Sequence, residues 1–420
     1  MSVRAKLSAM MFLQFFIWGA WYTTVGNYMA AHGMAALAYL PYTVNPIAAI
    51  VAPFFLGLVA DRYFATEKVL GVLHILGGLF MLLAPRTTGG VFIFFLLLYN
   101  LCYMPTLGLA NSLAFHNIQD QEKQFPFIRV FGTIGWIAAG LFIGFVLSQF
   151  TQGQMPDTTS LPLYTTAVAS LLLGVFSFSL PHTPPPAAGR PVSVRSIVGL
   201  DALRELGSPP FYVFIICSLL ICIPLAAYYA YAPVFAKVAV YDVGAHNLVT
   251  AVLPNPSSLM TLGQMSETAF MLLMPLMFAR LGVKKMLLVG MGAWVLRYAL
   301  FALAAPSAVF WLIVTGILLH GVCYDFFFVT GQIYVDKKSS PAVRGQAQGF
   351  LVLITYGVGM LVGSLIAGKV YNGFLGTGTD LTLDQFAKFW PLPAGFAAAV
   401  LVLFAVFFRE QRATSATKDR

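Results

Sequence analysis

Charge is what this chain has least of. Asp, Glu, Lys and Arg make up 9% of its 420 residues, against about 25% in a soluble globular protein. A water-facing surface of ordinary charge density cannot be built from that supply, so most of the chain must face lipid or other helices. Cysteine is also scarce. Cys102, Cys217, Cys222 and Cys323 all sit inside apolar runs without metal-ligand spacing. That excludes a disulfide framework and a metal-ligand motif and leaves them as small packing residues. No Walker A loop occurs, so ATP cannot drive the chain from within. Gly290-x-Gly292 lacks the strand and third glycine of a dinucleotide loop. No nucleophile, metal or phosphate motif occurs in the polar segments, so neither an enzyme nor a bound cofactor is expected. The first long apolar run has no small-residue cleavage site and is expected to remain as a membrane helix.

Apolar residues fill the space that charge leaves. They account for 59% of the chain, with 37 Phe and a mean hydropathy of +0.82. The net charge of +9 would suggest nucleic acid in a soluble protein. Here the basic residues lie in short loops between apolar runs, so orientation in a lipid bilayer explains them and no nucleic-acid partner is expected. A helix needs roughly 20 apolar residues to cross the hydrocarbon core. Twelve such stretches are predicted, near 8–30, 37–60, 69–85, 91–115, 128–150, 161–180, 210–236, 258–280, 285–304, 307–333, 344–370 and 387–408. They are too long and too unalternating for barrel strands. With the N-terminus inside, 18 of the 24 Lys and Arg fall in inner segments and only Arg86, Lys237, Lys369 and Lys388 in outer ones. That distribution predicts cytoplasmic termini and an even number of spans.

The chain divides at 181–209, which opens Pro181-His-Thr-Pro-Pro-Pro186 and reads as a semi-rigid cytoplasmic connector. Residues 1–180 then form one six-helix bundle and 210–420 a second with a short cytoplasmic tail. Within the connector, Val194, Ile197, Val198 and Leu206 fit one side of a short interfacial helix, with Arg195 and Arg204 toward headgroups; an ordinary loop fits equally. Two tight charged turns occupy equivalent places in the halves, Gly57-Leu-Val-Ala-Asp61-Arg62 and Arg280-Leu-Gly282-Val-Lys284-Lys285. Internal repeats of this kind are typical of secondary transporters. Gly57, Asp61 and Arg62 resemble the signature loop of the major facilitator superfamily, G-x-L-x-D-R-x-G, with Val59 in place of its Leu and Phe64 in place of its last Gly.

Of the fifteen acidic residues, only Glu267 and Asp325 fall well inside predicted membrane helices. A charge at the bilayer centre costs at least about 2.5–3.5 kcal/mol and ordinarily marks an ion or substrate path. A carboxylate out of water binds a proton more readily, which proton coupling requires. The competing structural reading pairs one of these acids with Arg297. Gln264 shares a helix face with Glu267. His320, four residues before Tyr324, is a candidate for substrate contact or a proton relay, against the alternative of a hydrogen-bonded spacer. Arg129, Thr133 and Trp136 recur at helical spacing in the fifth span: Arg129 as gate, substrate contact or snorkelling side chain, Trp136 as a stacking face for a flat ring or a packing residue. Gln14, Trp18 and Trp21 share a face of the first helix, and Tyr228, Tyr229 and Tyr231 lie in the seventh. Gly140-x-x-x-Gly144 and Gly359-x-x-x-Gly363 read as packing.

Several segments resemble the nucleoside:proton symporter family, a bacterial branch of the major facilitators. They are Phe12-Leu-Gln-Phe-Phe-Ile-Trp-Gly-Ala-Trp21, Tyr103-Met-Pro-Thr-Leu-Gly-Leu109, Phe125-Pro-Phe-Ile-Arg-Val-Phe-Gly-Thr-Ile-Gly135, Gln264-Met-Ser-Glu-Thr268, Tyr324-Asp-Phe326 and Ala347-Gln-Gly349, and Leu319-His-Gly-Val-Cys-Tyr-Asp325 resembles the marker of a less characterised bacterial subgroup of candidate nucleoside transporters. The resemblance implies an all-α major facilitator fold with a nucleoside pocket between the halves. It carries Arg129, Thr133, Gln264, Glu267 and Asp325 into that pocket directly. Trp136, His320 and Tyr324 stand where nucleoside permeases have Phe, Tyr and Phe, and Leu225 and Tyr228 replace amide residues. The expected substrate-binding set is thus Arg129, Thr133, Trp136, Tyr228, Gln264, Glu267, His320, Tyr324 and Asp325, with Glu267 and Asp325 coupling to protons. The implied protein is a multi-pass, monomeric symporter of the bacterial inner membrane. A carrier of another small polar or aromatic solute such as a sugar, or a non-transporting membrane sensor, is the alternative.

Overall fold

A computed structural model describes residues 2–56, 63–185, 194–340, 343–375 and 381–409. Every regular element among them is helical. Among the described residues nine helices are long and apolar enough to cross a membrane, and one of them, Pro256–Ser307, is 52 residues long. That is about twice what one crossing requires. It divides at Gly282, whose backbone (φ 68°, ψ 179°) leaves the helical region. Positive φ is open to glycine at no steric cost, so one residue suffices to join two crossings. The expected charged turn at 280–285 is therefore a single-residue joint. Its counterpart at 57–62 lies outside the described residues.

Two further spans complete twelve. Leu161–Ser177 has 17 residues, and the first span is interrupted at Thr23–Thr24 between Val3–Tyr22 and Val25–Ala31. In chain order the spans are α1 (Val3–Tyr22 continued by Val25–Ala31), α2 (Pro41–Phe55), α3 (Thr66–Leu83), α4 (Gly89–His116), α5 (Gln121–Phe145), α6 (Leu161–Ser177), α7 (Pro209–Ala236), α8 (256–281), α9 (283–304), α10 (Phe310–Lys338), α11 (Arg344–Leu375) and α12 (Leu383–Phe407). The connector is partly helical, at Val194–Val198 and Leu200–Leu206, with Leu206 buried. This agrees with the short-helix alternative for that segment.

The spans form two six-helix bundles. In the first, α1 packs on α5 and α6, α3 on α4 and α6, and α2 on α4. In the second, α7 packs on α11 and α12, and the α8–α9 pair on α10 and α12. The bundles meet where α5 faces α8 and α2 faces α11. A Cβ built on Gly140 would lie 2.4 Å from Thr261 Cγ2 and 2.9 Å from the Ser257 carbonyl oxygen, while one on Gly363 would lie 2.8 Å from Ile223 Cα. The first glycine therefore sets a close approach between bundles and the second one within a bundle, both of the packing kind read from the sequence.

Two spans leave α geometry midway: α10 widens to a π-helix over Asp325–Val329 and α11 over Leu353–Gly359. Such widenings concentrate at functional sites. Both flank the space between the bundles.

Candidate functional site

The bundles enclose a cavity with about 110 Å³ of free space. The first bundle supplies Phe15, Trp18 and Tyr22 from α1, Asn45 from α2, and Arg129, Thr133 and Trp136 from α5. The second supplies Tyr229 from α7, Gln264 and Glu267 from α8, His320 and Tyr324 from α10, and Tyr356 and Met360 from α11. Helical periodicity accounts for the selection. Arg129, Thr133 and Trp136 are spaced at four and three, as are Phe15, Trp18 and Tyr22 in the reverse order, so each set presents one stripe to the cavity.

The first bundle's wall is aromatic. Trp18 meets Trp136 edge-on with centroids 5.5 Å apart, and Tyr22 meets Tyr229 of the opposite bundle at 5.4 Å. The Arg129 guanidinium lies 4.1 Å above the Phe15 ring centroid, a cation–π contact that keeps it in the cavity wall. No carboxylate lies within ion-pair distance of it among the described residues. Behind this wall is a layer of buried polar side chains. Gln14 donates to Thr106 Oγ1 at 2.7 Å and its Oε1 meets His74 Nε2 at 2.9 Å, while His74 Nδ1 meets Ser170 Oγ at 3.2 Å. Gln14 therefore braces helices and does not line the cavity.

The second bundle's wall carries the ionisable groups. Glu267 has 17% of its side chain exposed and lies 3.9 Å from His320 Nε2. Gly321 explains the spacing: a Cβ there would lie 2.6 Å from the Ser266 carbonyl, so α8 and α10 touch backbone to backbone and bring residues 267 and 320 together. Gln264 is buried and its Oε1 has no hydrogen-bond partner among the described residues; the same holds for His320 Nδ1. The Tyr356 hydroxyl donates to that of Tyr324 at 2.5 Å. An orphaned buried polar atom costs free energy until a partner fills it, and Gln264 Oε1 and His320 Nδ1 carry that cost beside the cavity.

Seven of the nine expected site residues line the cavity. Tyr228 and Asp325 do not. Tyr228 lies one layer back, its ring stacked on His320 with centroids 5.4 Å apart and 16° between planes. Asp325 is fully buried at the start of the α10 π segment, both carboxylate oxygens without hydrogen-bond partners among the described residues. Arg297 is also fully buried, but it pairs with neither acid. Its guanidinium lies 4.1 Å over the Tyr228 ring and 5.5 Å over Trp294. The structural ion pair weighed from the sequence is therefore absent, and aromatic faces take the cation instead. Trp21 and Tyr231 also turn away, Trp21 against Tyr99 and Tyr231 against Tyr371. Asn45, Tyr229, Tyr356 and Met360 complete the wall. Only Tyr229 among these carried a sequence signal, as part of the tyrosine cluster in α7.

Toward the face opposite the chain ends, the bundles are latched together. Asp157, in the loop between α5 and α6, accepts from the Ser257 amide at 2.9 Å and from the Ser257 hydroxyl at 3.2 Å, at the start of α8. Asp157 is fully buried. Burial raises its carboxyl from 3.8 to about 7, with the two Ser257 hydrogen bonds and the charge of Lys237 pulling the other way.

The family model described as nucleoside H+ symporter matches residues 1–413. YegT of Escherichia coli (strain K12), named as a candidate nucleoside transporter, is 42% identical over 417 residues, covering 98% of this chain and 95% of its own. The nucleoside permease NupG of the same organism is 31% identical over 417 residues, with 97% and 96% covered. A crystal structure of the nucleoside transporter NupG superposes with a TM-score of 0.83 at 30% identity, over 98% of this chain and 100% of that one.

Proposed function

The chain belongs to the nucleoside H+ symporter family, and on that premise we propose that it takes up nucleosides together with protons by alternating access between its two six-helix bundles. It is a transporter and not an enzyme. The single observation that carries the site reading is Glu267, an acid partly open to an aromatic cavity at the junction of the bundles. A desolvated carboxyl reachable from such a cavity is what coupling needs: it exchanges its proton with the water that a substrate displaces. In this reading Arg129, Thr133, Gln264, His320 and Tyr324 hydrogen-bond the nucleoside, and Trp18 and Trp136 offer faces to its base. Asp325, one residue past Tyr324, is the second proton carrier, and Tyr228 fixes the His320 ring from behind. The connector 181–209 and both termini lie on the cytoplasmic side of a bacterial inner membrane, and the monomer is the working unit.

Purified protein in sealed proteoliposomes tests this reading. Labelled uridine, adenosine and xanthosine are offered outside at acid pH with the interior at neutral pH. Accumulation of at least one above its equilibrium level, collapsed by a protonophore and undiminished by excess sugar, is the expected result. Uptake that only equilibrates, or that a sugar abolishes, contradicts it.

A further inference from the structure

One wall residue lies apart from the ionisable cluster. Asn45 is the polar group that α2 brings to the cavity, and only 7% of it is exposed. Its orientation follows from a chain of bonds with one solution. Asn100, fully buried in α4, bonds the Leu96 carbonyl oxygen at 2.8 Å. A carbonyl can only accept, so Asn100 must present its Nδ2 there and its Oδ1 on the opposite side. Asn45 meets that Oδ1 at 2.9 Å, so it must present Nδ2 to Asn100. The amide of Asn45 cannot flip without setting two oxygens against each other. Its own Oδ1 is left over. That atom is neither sealed without a partner nor bonded to any described residue, so the open space at hand for it is the cavity that Asn45 lines.

We propose that Asn45 is a specificity-determining residue of the transporter, its Oδ1 accepting a hydrogen bond from a hydroxyl or ring N–H of the bound nucleoside. The inference rests on nucleosides being the substrate. It adds a fixed acceptor on α2, a helix that packs on α11, in the bundle opposite the one that carries Gln264, Glu267 and His320. A solute lacking a donor at that place leaves the oxygen desolvated and unpaired, and a site built to hydrogen-bond rejects such an analogue far more strongly than an apolar one does. Because Asn100 holds the amide, Asn45 cannot rotate to offer a donor instead. Asn100 is thus a positioning residue, acting through Asn45.

The test compares uptake of uridine with that of 2′-deoxy-, 3′-deoxy-, 5′-deoxy- and N3-methyluridine in the same proteoliposomes. The wild type is expected to discriminate against at least one of them by roughly tenfold to a hundredfold in kcat/KM. Asn45→Leu is expected to lower uridine uptake and bring that ratio close to one, and the analogue whose penalty disappears identifies the donor. Should Asn45→Leu fail to reach the membrane, Asn45→Ala combined with Asn100→Ala removes the oxygen without added bulk or a stranded partner. A wild type indifferent to all four analogues overturns the proposal, as does a variant that keeps the full discrimination. A wild type that transports no nucleoside at all would instead sink the reading of function on which this one stands.

Discussion

Gln264 shows how a single side chain divides stability from binding. It is buried, it lines the cavity, and its Oε1 has no partner among the described residues. An unfilled acceptor is a cost to the empty protein and an asset to the occupied one, since a ligand N–H or O–H recovers about 1–3 kcal/mol of desolvation. We predict that Gln264→Leu leaves the Tm of the ligand-free protein unchanged or higher and weakens nucleoside binding tenfold or more. Differential scanning fluorimetry and equilibrium binding on the same preparation check both halves. A variant with lower Tm and unaltered affinity contradicts the assignment. Gln264 was legible in the sequence because Glu267, three residues on, marks the same helix face as polar within an apolar run. Asn45 was not, because a lone amide in the predicted 37–60 span has no charged or amide neighbour at helical spacing to mark a face. The orientation of its amide is set by α4, through Asn100, and no single segment contains that information. Asp325 was legible as an anomaly but not as a second-layer group: periodicity places it beside Tyr324, while the π segment that starts at this residue alters which side chains reach the cavity.

Among the elements, the α5–α6 loop and the start of α8 have the most to say about gating. Asp157 belongs to the first bundle and Ser257 to the second, so their two hydrogen bonds exist only while that face is closed. In the closed face burial holds the Asp157 carboxyl at about 7; wetted on opening, it returns toward the ordinary value of about 4. The closed state therefore binds a proton that the open state releases. Its contribution to closure is full below about pH 4 and is lost as pH rises through about 7. Lys237 and Tyr241 are the other titratable groups that act with Asp157 there. We predict that a cysteine at Thr261, buried against Gly140 of α5, reacts with an impermeant maleimide faster at pH 8 than at pH 6 by more than thiol ionisation explains. In Asp157→Asn the excess should vanish. The native cysteines are all buried and give a low background. Equal pH dependence in the two proteins contradicts the latch. The sequence could not disclose this element, because Asp157 lies in a loop of ordinary polarity and its burial depends on a helix about a hundred residues away.

For the whole molecule, the scarcity of charge, the length of the apolar runs and the placement of Lys and Arg were enough to predict twelve spans in two sets of six. The structure follows that plan except at local joints: α1 breaks at Thr23–Thr24, α8 turns into α9 at Gly282, and α10 and α11 widen midway. Each departure is a backbone event of one to seven residues, below what hydropathy over a 20-residue window resolves. The plan explains the function as well as the fold. Two bundles joined by a connector and touching along α5–α8 and α2–α11 can rock about a cavity whose walls they share, and in the mechanism we propose Glu267 and Asp325 tie the motion to protons. Transport of nucleoside and of protons must then be one event. The decisive measurement is proton movement in lightly buffered, unenergised proteoliposomes when uridine, or another nucleoside shown to be transported, is added outside. The account predicts immediate external alkalinisation that tracks nucleoside entry in the wild type and is absent in Glu267→Gln and Asp325→Asn. Nucleoside entry without alkalinisation in the wild type, or alkalinisation that survives in both variants, would contradict it.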